Sequence, residues 1–196
     1  MNVGIIGSGG REHAICHALS KSDRVNEIFC FPGNAGTAQN AKNIDINLEN
    51  FSELKSFIEN RKIDLVIVGP EKPLVDGIVD FLNDNNIKVF GPNKIASQLE
   101  GSKIFTKNLC KKYNIPTANF GILTNKNDSY EFIKDTKWPI VIKADGLASG
   151  KGVYICDAES EAKNAINEIF DGKFGKAKNL LIEEFLKGEE MSYFTI

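Results

Sequence analysis

Short apolar runs alternate with helical spacings along the first half of the chain. Residues 3–6 are apolar apart from Gly4 and predict a buried strand, which a glycine turn joins to a helix over 12–20. Residues 27–31 predict a second strand and 44–46 a short one, and Phe51, Leu54, Phe57 and Ile58 then recur at helical spacing. A strand over 64–68 follows, then one amphipathic helix marked by Leu74, Val75, Ile78, Val79 and Leu82, and a last strand over 88–90. Strands alternating with helices of this length predict βαβ units, hence a doubly wound α/β domain with a parallel sheet.

The pattern changes near residue 115. Asn114-Ile115-Pro116 is a break, because the residue before proline is driven out of the helical region. A strand is expected over 120–123, and a helix from about Asp128, with Asp128 and Glu131 as a capping box. The apolar runs 139–144 and 153–156 stand too close together for a crossover helix, so they predict an antiparallel hairpin. A helix bearing Ala158, Ala162, Ala165, Ile166, Ile169 and Phe170 on one face comes next, then strands over 180–184 and 191–196. The expected organisation is an α/β domain over 1–100, a helical linker over 101–118 and a smaller α+β unit over 119–196. The last strand would run into residue 196 in mid-element, which reads as a fragment of something longer.

Composition narrows the function classes. Of 196 residues 42% are hydrophobic and 26% charged, enough for a real core, which excludes disorder as the main theme. A formal charge of −2 gives no global attraction to nucleic acid or anionic lipid, so any anion site must be local. The apolar runs fall far short of the roughly 20 residues a membrane span needs, and no signal peptide is legible. Cys16, Cys30, Cys110 and Cys156 lie far apart without a Cys-x-x-Cys pair, which predicts reduced thiols in a cytoplasmic protein. His13 and His17 are four apart on the first helix, but Ala14 stands where a zincin helix carries glutamate, so they predict packing and not metal.

Three glycine turns follow the carboxyl ends of predicted strands, the edge at which open parallel sheets bind ligands. The first, Gly7-Ser8-Gly9-Gly10-Arg11, fails as a dinucleotide fingerprint: Glu12 replaces its third glycine, and the second strand ends without a carboxylate for a ribose. A phosphate at this turn fits, with Arg11 as a charged donor. With the turns at 32–37 and 69–71, the amides of Gly9, Gly10 and Gly36, the Asn34 side chain and the Glu71 carboxylate would suit a small sugar phosphate carrying an amine.

The second half holds the sharper signal. Residues 145–152, Asp145-Gly146-Leu147-Ala148-Ser149-Gly150-Lys151-Gly152, join the two hairpin strands. A Walker loop has four residues between its glycines and leads into a helix; here three lie between Gly146 and Gly150, and a strand follows Lys151-Gly152. Such a loop can still fold over a polyphosphate, with Ser149 and Lys151 adding to its glycine amides. Lys143 interrupts an apolar strand, which is costly unless it meets an anion. Farther on, Glu183, Glu184, Phe185 and Leu186 close a strand, and Glu190 follows. Glu183 would accept from an adenine amino group, the 184–186 backbone would pair with the ring edge, and Glu190 would hold ribose hydroxyls.

Together these residues resemble the ATP-grasp superfamily and, within it, the phosphoribosylamine–glycine ligase family of purine biosynthesis. The matching stretches are 7–14 (GSGGREHA), 32–38 (PGNAGTA), 67–75 (IVGPEKPLV), 99–107 (LEGSKIFTK), 114–117 (NIPT), 139–153 (PIVIKADGLASGKGV) and 182–192 (IEEFLKGEEMS). The resemblance implies that Gly9, Gly10, Arg11, Glu12, Asn34, Gly36 and Glu71 face phosphoribosylamine. It implies that Lys103, Lys143 and the 145–152 loop hold ATP phosphates, with Glu183, Glu184, Phe185, Leu186 and Glu190 around adenosine. It further implies a monomer acting on ATP, glycine and phosphoribosylamine, with Mg²⁺ or Mn²⁺ whose ligands lie beyond residue 196. Turnover by this chain alone is not expected. Alternatives are a non-catalytic nucleotide- or sugar-phosphate-binding fragment, an ATP-grasp ligase with another acceptor, and a nicotinamide oxidoreductase, which Glu12 disfavours.

Overall fold

The computed structural model describes residues 1–147, 151–175 and 179–193. Its contacts divide the chain into two compact units, Met1–Gly101 and Ser102–Ile196.

In the first unit, strands β1 (Asn2–Gly7), β2 (Glu27–Pro32), β3 (Lys42–Asn43), β4 (Leu65–Val68) and β5 (Val89–Phe90) form one parallel sheet in the order β3-β2-β1-β4-β5. Helices α1 (Gly10–Leu19), α2 (Phe51–Asn60), α3 (Glu71–Asp76), α4 (Ile78–Asp84) and α5 (Lys94–Gly101) connect and follow them. Side chains alternate across a strand, so β1 and β2 feed two cores. Val3, Ile5, Ile28 and Cys30 pack with Cys16 of α1, whereas Ile6, Phe29 and Phe31 join Leu54, Ile58 and Leu82 on the other face. Both faces are covered, as a doubly wound sheet requires.

Two expectations for this unit need correction. Residues 44–46 are not a strand; the short edge strand is Lys42–Asn43. Ile46 is apolar because it is buried in the core, with Ile44 packed against it. The helix expected through Leu74 to Leu82 is two helices broken at Gly77, whose φ of 99° is left-handed and whose N–H caps the carbonyls of Pro73 and Leu74. Apolar spacing continued across the break because both helices bury the same side.

In the second unit, α6 (Lys103–Tyr113), read from sequence as part of a linker, precedes an antiparallel sheet. Strands β6 (Phe120–Leu123), β7 (Ile140–Ala144), β8 (Val153–Cys156) and β9 (Leu180–Glu184) stand in the order β6-β9-β7-β8, with β7 and β8 antiparallel neighbours. Helices α7 (Lys126–Lys134) and α8 (Glu159–Phe170) cover one face, where Ile133, Ala162, Ala165, Ile166 and Ile169 meet Leu123, Ile140, Ile142, Leu180 and Ile182.

Here too the sequence expectation shifts. Helix α7 starts at Lys126, capped by Asn125, whose Oδ1 accepts from the Asp128 N–H at 2.9 Å; Asp128 is not the cap. Asparagine caps as well as aspartate does, so two residues competed and the earlier one won. Residues 191–193 form no strand, and Met191 and Tyr193 are exposed. The remainder of that expected strand, 194–196, lies outside the described residues.

Candidate functional site

The first unit gathers its three glycine turns at the carboxyl ends of β1, β2 and β4. A cavity of about 490 Å³ opens there, lined by Gly7, Ser8, Gly10, Arg11, Pro32 and Glu71 among others. Glu12 lies beneath it, 4% exposed, and its Oε2 accepts the Gly9 N–H at 2.5 Å. A Cβ at Gly7 would lie 2.6 Å from the Glu12 side chain, and one at Gly69 would overlap its carboxylate outright. Glu12 therefore braces two of the turns from inside.

The second turn is laced to the first by Asn34. Its Oδ1 accepts the N–H groups of Gly36 (2.7 Å) and Thr37 (3.0 Å), and its Nδ2 donates to the carbonyls of Ser8 (2.7 Å) and Gly9 (3.2 Å). The amides of Gly9 and Gly36 and the Asn34 side chain, expected from sequence to face a ligand, are thus committed to holding the turns. Gly10, at the first position of α1, borders open space. Glu71, expected to meet a ligand amine, instead pairs with Arg11 at 3.2 Å, and Arg11 also donates to the Gly69 carbonyl. The N–H at its own helix start, and then Arg11, hold the Glu71 carboxyl below the usual carboxylate range.

His13 lies against the Gly36 backbone, where a Cβ would come within 2.5 Å of its Nδ1. Cys16 and Cys30 are fully buried in the adjacent core. Burial, then the neighbouring Cys30, pushes the Cys16 thiol up to about 12. Among the described residues no group of three or more His, Cys, Asp or Glu side chains is arranged to hold a metal ion.

In the second unit the sheet face opposite α7 and α8 is only partly covered: Leu181 and Glu183 are buried there, and Lys107 of α6 packs on it. Strand registers align two cross-strand rows on it: Phe120–Glu183–Val141–Ile155 and Ile122–Leu181–Lys143–Val153. Ile122, Val153 and Ile155 are exposed, yet Glu183 in their midst is only 4% exposed. Its Oε2 meets Lys143 Nζ at 3.0 Å and Lys107 Nζ at 3.1 Å, while its Oε1 is buried with no hydrogen-bond partner. Buried polar atoms are rarely left unpaired without a reason.

The remaining predicted residues divide. Asp145 is tied to the start of α6, accepting from Ser102 Oγ at 3.1 Å and the Ile104 N–H at 3.2 Å, and Lys103 Nζ donates to the Gly146 carbonyl at 2.7 Å. Gly146 is left-handed at φ 96°, and Gly152 accepts from the Ala144 N–H at 2.8 Å, extending the β7–β8 pairing. Lys151 is exposed; Ser149 and Gly150 lie outside the described residues. Glu184 accepts the Asn119 N–H at 2.8 Å, and this bond lowers its carboxyl from the usual value. Phe185, Leu186 and Glu190 are exposed beyond the strand end. A cavity of about 280 Å³ opens there, lined by Phe120, Phe132, Ile140, Ile182, Glu183 and Glu184 among others.

Sequence reasoning missed Lys107, the second cation on Glu183. A signal was present: Lys107 falls three residues from both Ile104 and Cys110, on the inner stripe of α6, where a lysine needs an anion.

A parallel α/β unit followed by a lysine-bearing antiparallel unit is the architecture of ATP-grasp ligases. N5-carboxyaminoimidazole ribonucleotide synthetase from Thermus thermophilus, 20% identical, shares the fold with a TM-score of 0.68 over 94% of this chain and 47% of its own. Residues 1–100 match the family model described as phosphoribosylglycinamide synthetase, N domain, and residues 101–196 that of its ATP-grasp (A) domain. The chain belongs to the phosphoribosylglycinamide synthetase family. The phosphoribosylamine–glycine ligase of Clostridium acetobutylicum is 46% identical over all of this chain and 48% of its own length. The crystal structure of the Thermotoga maritima phosphoribosylamine–glycine ligase is similar with a TM-score of 0.79 at 37% identity, over 96% of this chain and 45% of its own. The chain spans about half the length of the curated relatives it matches.

Proposed function

We propose that this chain supplies the phosphoribosylamine-binding unit and the first part of the ATP-binding unit of a phosphoribosylamine–glycine ligase. The reaction takes glycine and ATP to glycyl phosphate and ADP; the amine of phosphoribosylamine then attacks the acyl carbon, forming the amide and releasing phosphate. Positioning and charge neutralisation do most of the work in such phosphoryl transfers.

The observation that carries the reading is Glu183. A buried carboxylate on a partly covered sheet face, held by two lysines with one oxygen unpartnered, has spare acceptor capacity for an N–H donor such as an adenine amino group. Lys143 stands beside it to reach the phosphates, with Lys103 of α6 and, from the segment between β7 and β8, Asp145, Gly146, Ser149, Gly150, Lys151 and Gly152 as the other phosphate-binding groups. Glu184, Phe185, Leu186 and Glu190 complete the adenosine side. In the first unit, Gly10 and Arg11 are the groups best placed for the sugar phosphate. Gly9, Glu12, Asn34 and Gly36 shape that cavity, and Glu71 meets the amine by exchanging it for Arg11.

No described cluster suits Mg²⁺ or Mn²⁺, so no step is assigned to these residues through an ion. No described helix is long and apolar enough to cross a membrane; a cytoplasmic monomer working on small molecules is part of the proposal. The test is direct. The chain should bind ATP, and should release no phosphate from ATP with glycine and phosphoribosylamine when no further polypeptide is added. Absence of ATP binding would remove the nucleotide assignment, and turnover would remove the expectation that the chain is inactive alone.

A further inference from the structure

We propose that Lys107 is a positioning residue: it is the permanent counter-ion of Glu183, and it keeps that carboxylate charged and aimed while Lys143 transfers to a bound triphosphate. The inference rests on the nucleotide site proposed above and concerns a residue to which that reading gives no role.

The two lysines approach the same oxygen of Glu183 at nearly equal distances, 3.0 and 3.1 Å, but they are anchored differently. An ammonium has three N–H donors. Lys107 donates two of them inside the protein, to Thr117 Oγ1 at 2.6 Å and to the Ala118 carbonyl at 3.4 Å, and it pairs ionically with Glu183 Oε2 at 3.1 Å. Its side chain is 11% exposed, and its Nζ lies 5.5 Å from the centre of the Phe120 ring. Lys143 has Glu183 as its one partner among the described residues and is 27% exposed. Moving Lys143 breaks one bond at an accessible position. Moving Lys107 breaks two hydrogen bonds and an ion pair at a buried one.

Charge bookkeeping then separates their roles. The cations in contact with Glu183 are Lys107 from α6 and Lys143 from β7; Lys137, after α7, lines the same cavity without bonding to Glu183, β6 brings the uncharged Phe120, and α7 and α8 lie across the sheet. The adjacent carboxylate, Glu184, is occupied by the Asn119 N–H and also feels the Lys107 charge. If a triphosphate draws Lys143 away, Lys107 is the cation that remains. Without Lys107, a buried carboxylate would be stripped of its last partner, so it would either retain Lys143 or take up a proton.

The test is calorimetric titration of the full chain with ATP in two buffers of different ionisation enthalpy, which reads proton exchange directly. The original chain should bind without net proton uptake near pH 7. Lys107→Met should bind on the order of 10-fold more weakly or worse, take up a proton on binding, and lose affinity further as pH rises. Lys107→Arg should restore proton-neutral binding. Should Lys107→Met fail to fold, Thr117→Val, which removes one anchor of Lys107, should show the same effects in smaller measure. ATP binding to a folded Lys107→Met or Thr117→Val chain with no proton uptake and no pH dependence would overturn the proposal while leaving the nucleotide site standing. Failure of the original chain to bind ATP would overturn both.

Discussion

The carboxylate of Glu12 occupies the space that a side chain at Gly69 would need. These residues belong to α1 and to the turn after β4, and the same carboxylate also holds the Gly9 amide. Gly69→Ala should therefore overpack the turn and cost about 1–3 kcal/mol of stability. Combining it with Glu12→Ala should recover part of that loss, because the two sites share one space. Urea unfolding of the two single variants and the double variant measures the coupling, and strict additivity would contradict the contact.

Gly77 separates α3 from α4 in a left-handed conformation. An alanine there should cost about 1–2 kcal/mol from backbone strain. The same change at Gly10, where φ is not positive and open space surrounds the α-carbon, should leave stability nearly unchanged. Thermal unfolding of both variants checks the contrast.

Helix and strand types were largely legible because apolar periodicity reports which face is buried. Its failures are instructive. Ile44 and Ile46 carry strand-like residues that pack from a loop, and the stripe through Leu74 to Leu82 ran across Gly77 because a capped break need not change the buried side. The candidate site could be nominated from sequence only as residue types. The glycine turns and the two carboxylates at the end of β9 stand out from their positions after apolar runs. What could not be read was hydrogen-bond partnership: Asn34 and Glu12 spend their polar atoms on the turns, and Asp145 spends its oxygens on α6. The Glu12–Gly9 and Asn34–Gly36 bonds are local but depend on the turn's conformation, while the Asn34–Ser8 bond and the Asp145 bonds to the start of α6 join segments 26 and 41–43 residues apart. Lys107 was hidden for the same reason, since Glu183 lies 76 positions away by numbering.

The cysteines should differ in reactivity. Burial pushes the Cys16 thiol to about 12 and that of Cys156 to about 11, and it also raises that of Cys30. Thiolate is the reacting species. At pH 8, iodoacetamide should label the half-buried Cys110 first and reach the other three only on unfolding. Mass spectrometry of the labelled chain reads this directly, and early labelling of Cys16 would contradict the packing of α1.

Glu71 gives a pH dependence of known sign. Its folded carboxyl is held below the ordinary value of 4.5, so its contribution to stability is full above that value and is lost as pH falls through the folded one. Because Arg11 and Glu71 are largely exposed, at 61% and 43%, the contribution should be no more than about 1 kcal/mol. The stability difference between the original chain and Glu71→Gln should shrink from pH 7 to pH 3. A difference that grows on acidification would reverse the assignment.

Lys143 carries the heaviest functional expectation. Lys143→Ala should weaken ATP binding by about 1.5–3 kcal/mol, the usual worth of a charged hydrogen bond, or roughly 10- to 150-fold. Lys107 would still hold Glu183, so the variant should remain folded. Unchanged affinity would return Lys143 to a purely structural role.

A crystal structure of the chain with a non-hydrolysable ATP analogue tests the central claim most directly. The account predicts the purine amino group within hydrogen-bonding distance of Glu183 Oε1, with Lys143 turned from Glu183 onto a phosphate and Lys107 unmoved. Nucleotide density away from the Glu183-bearing face of the β6-β9-β7-β8 sheet, or Lys143 still paired with Glu183 beneath a bound triphosphate, would contradict it.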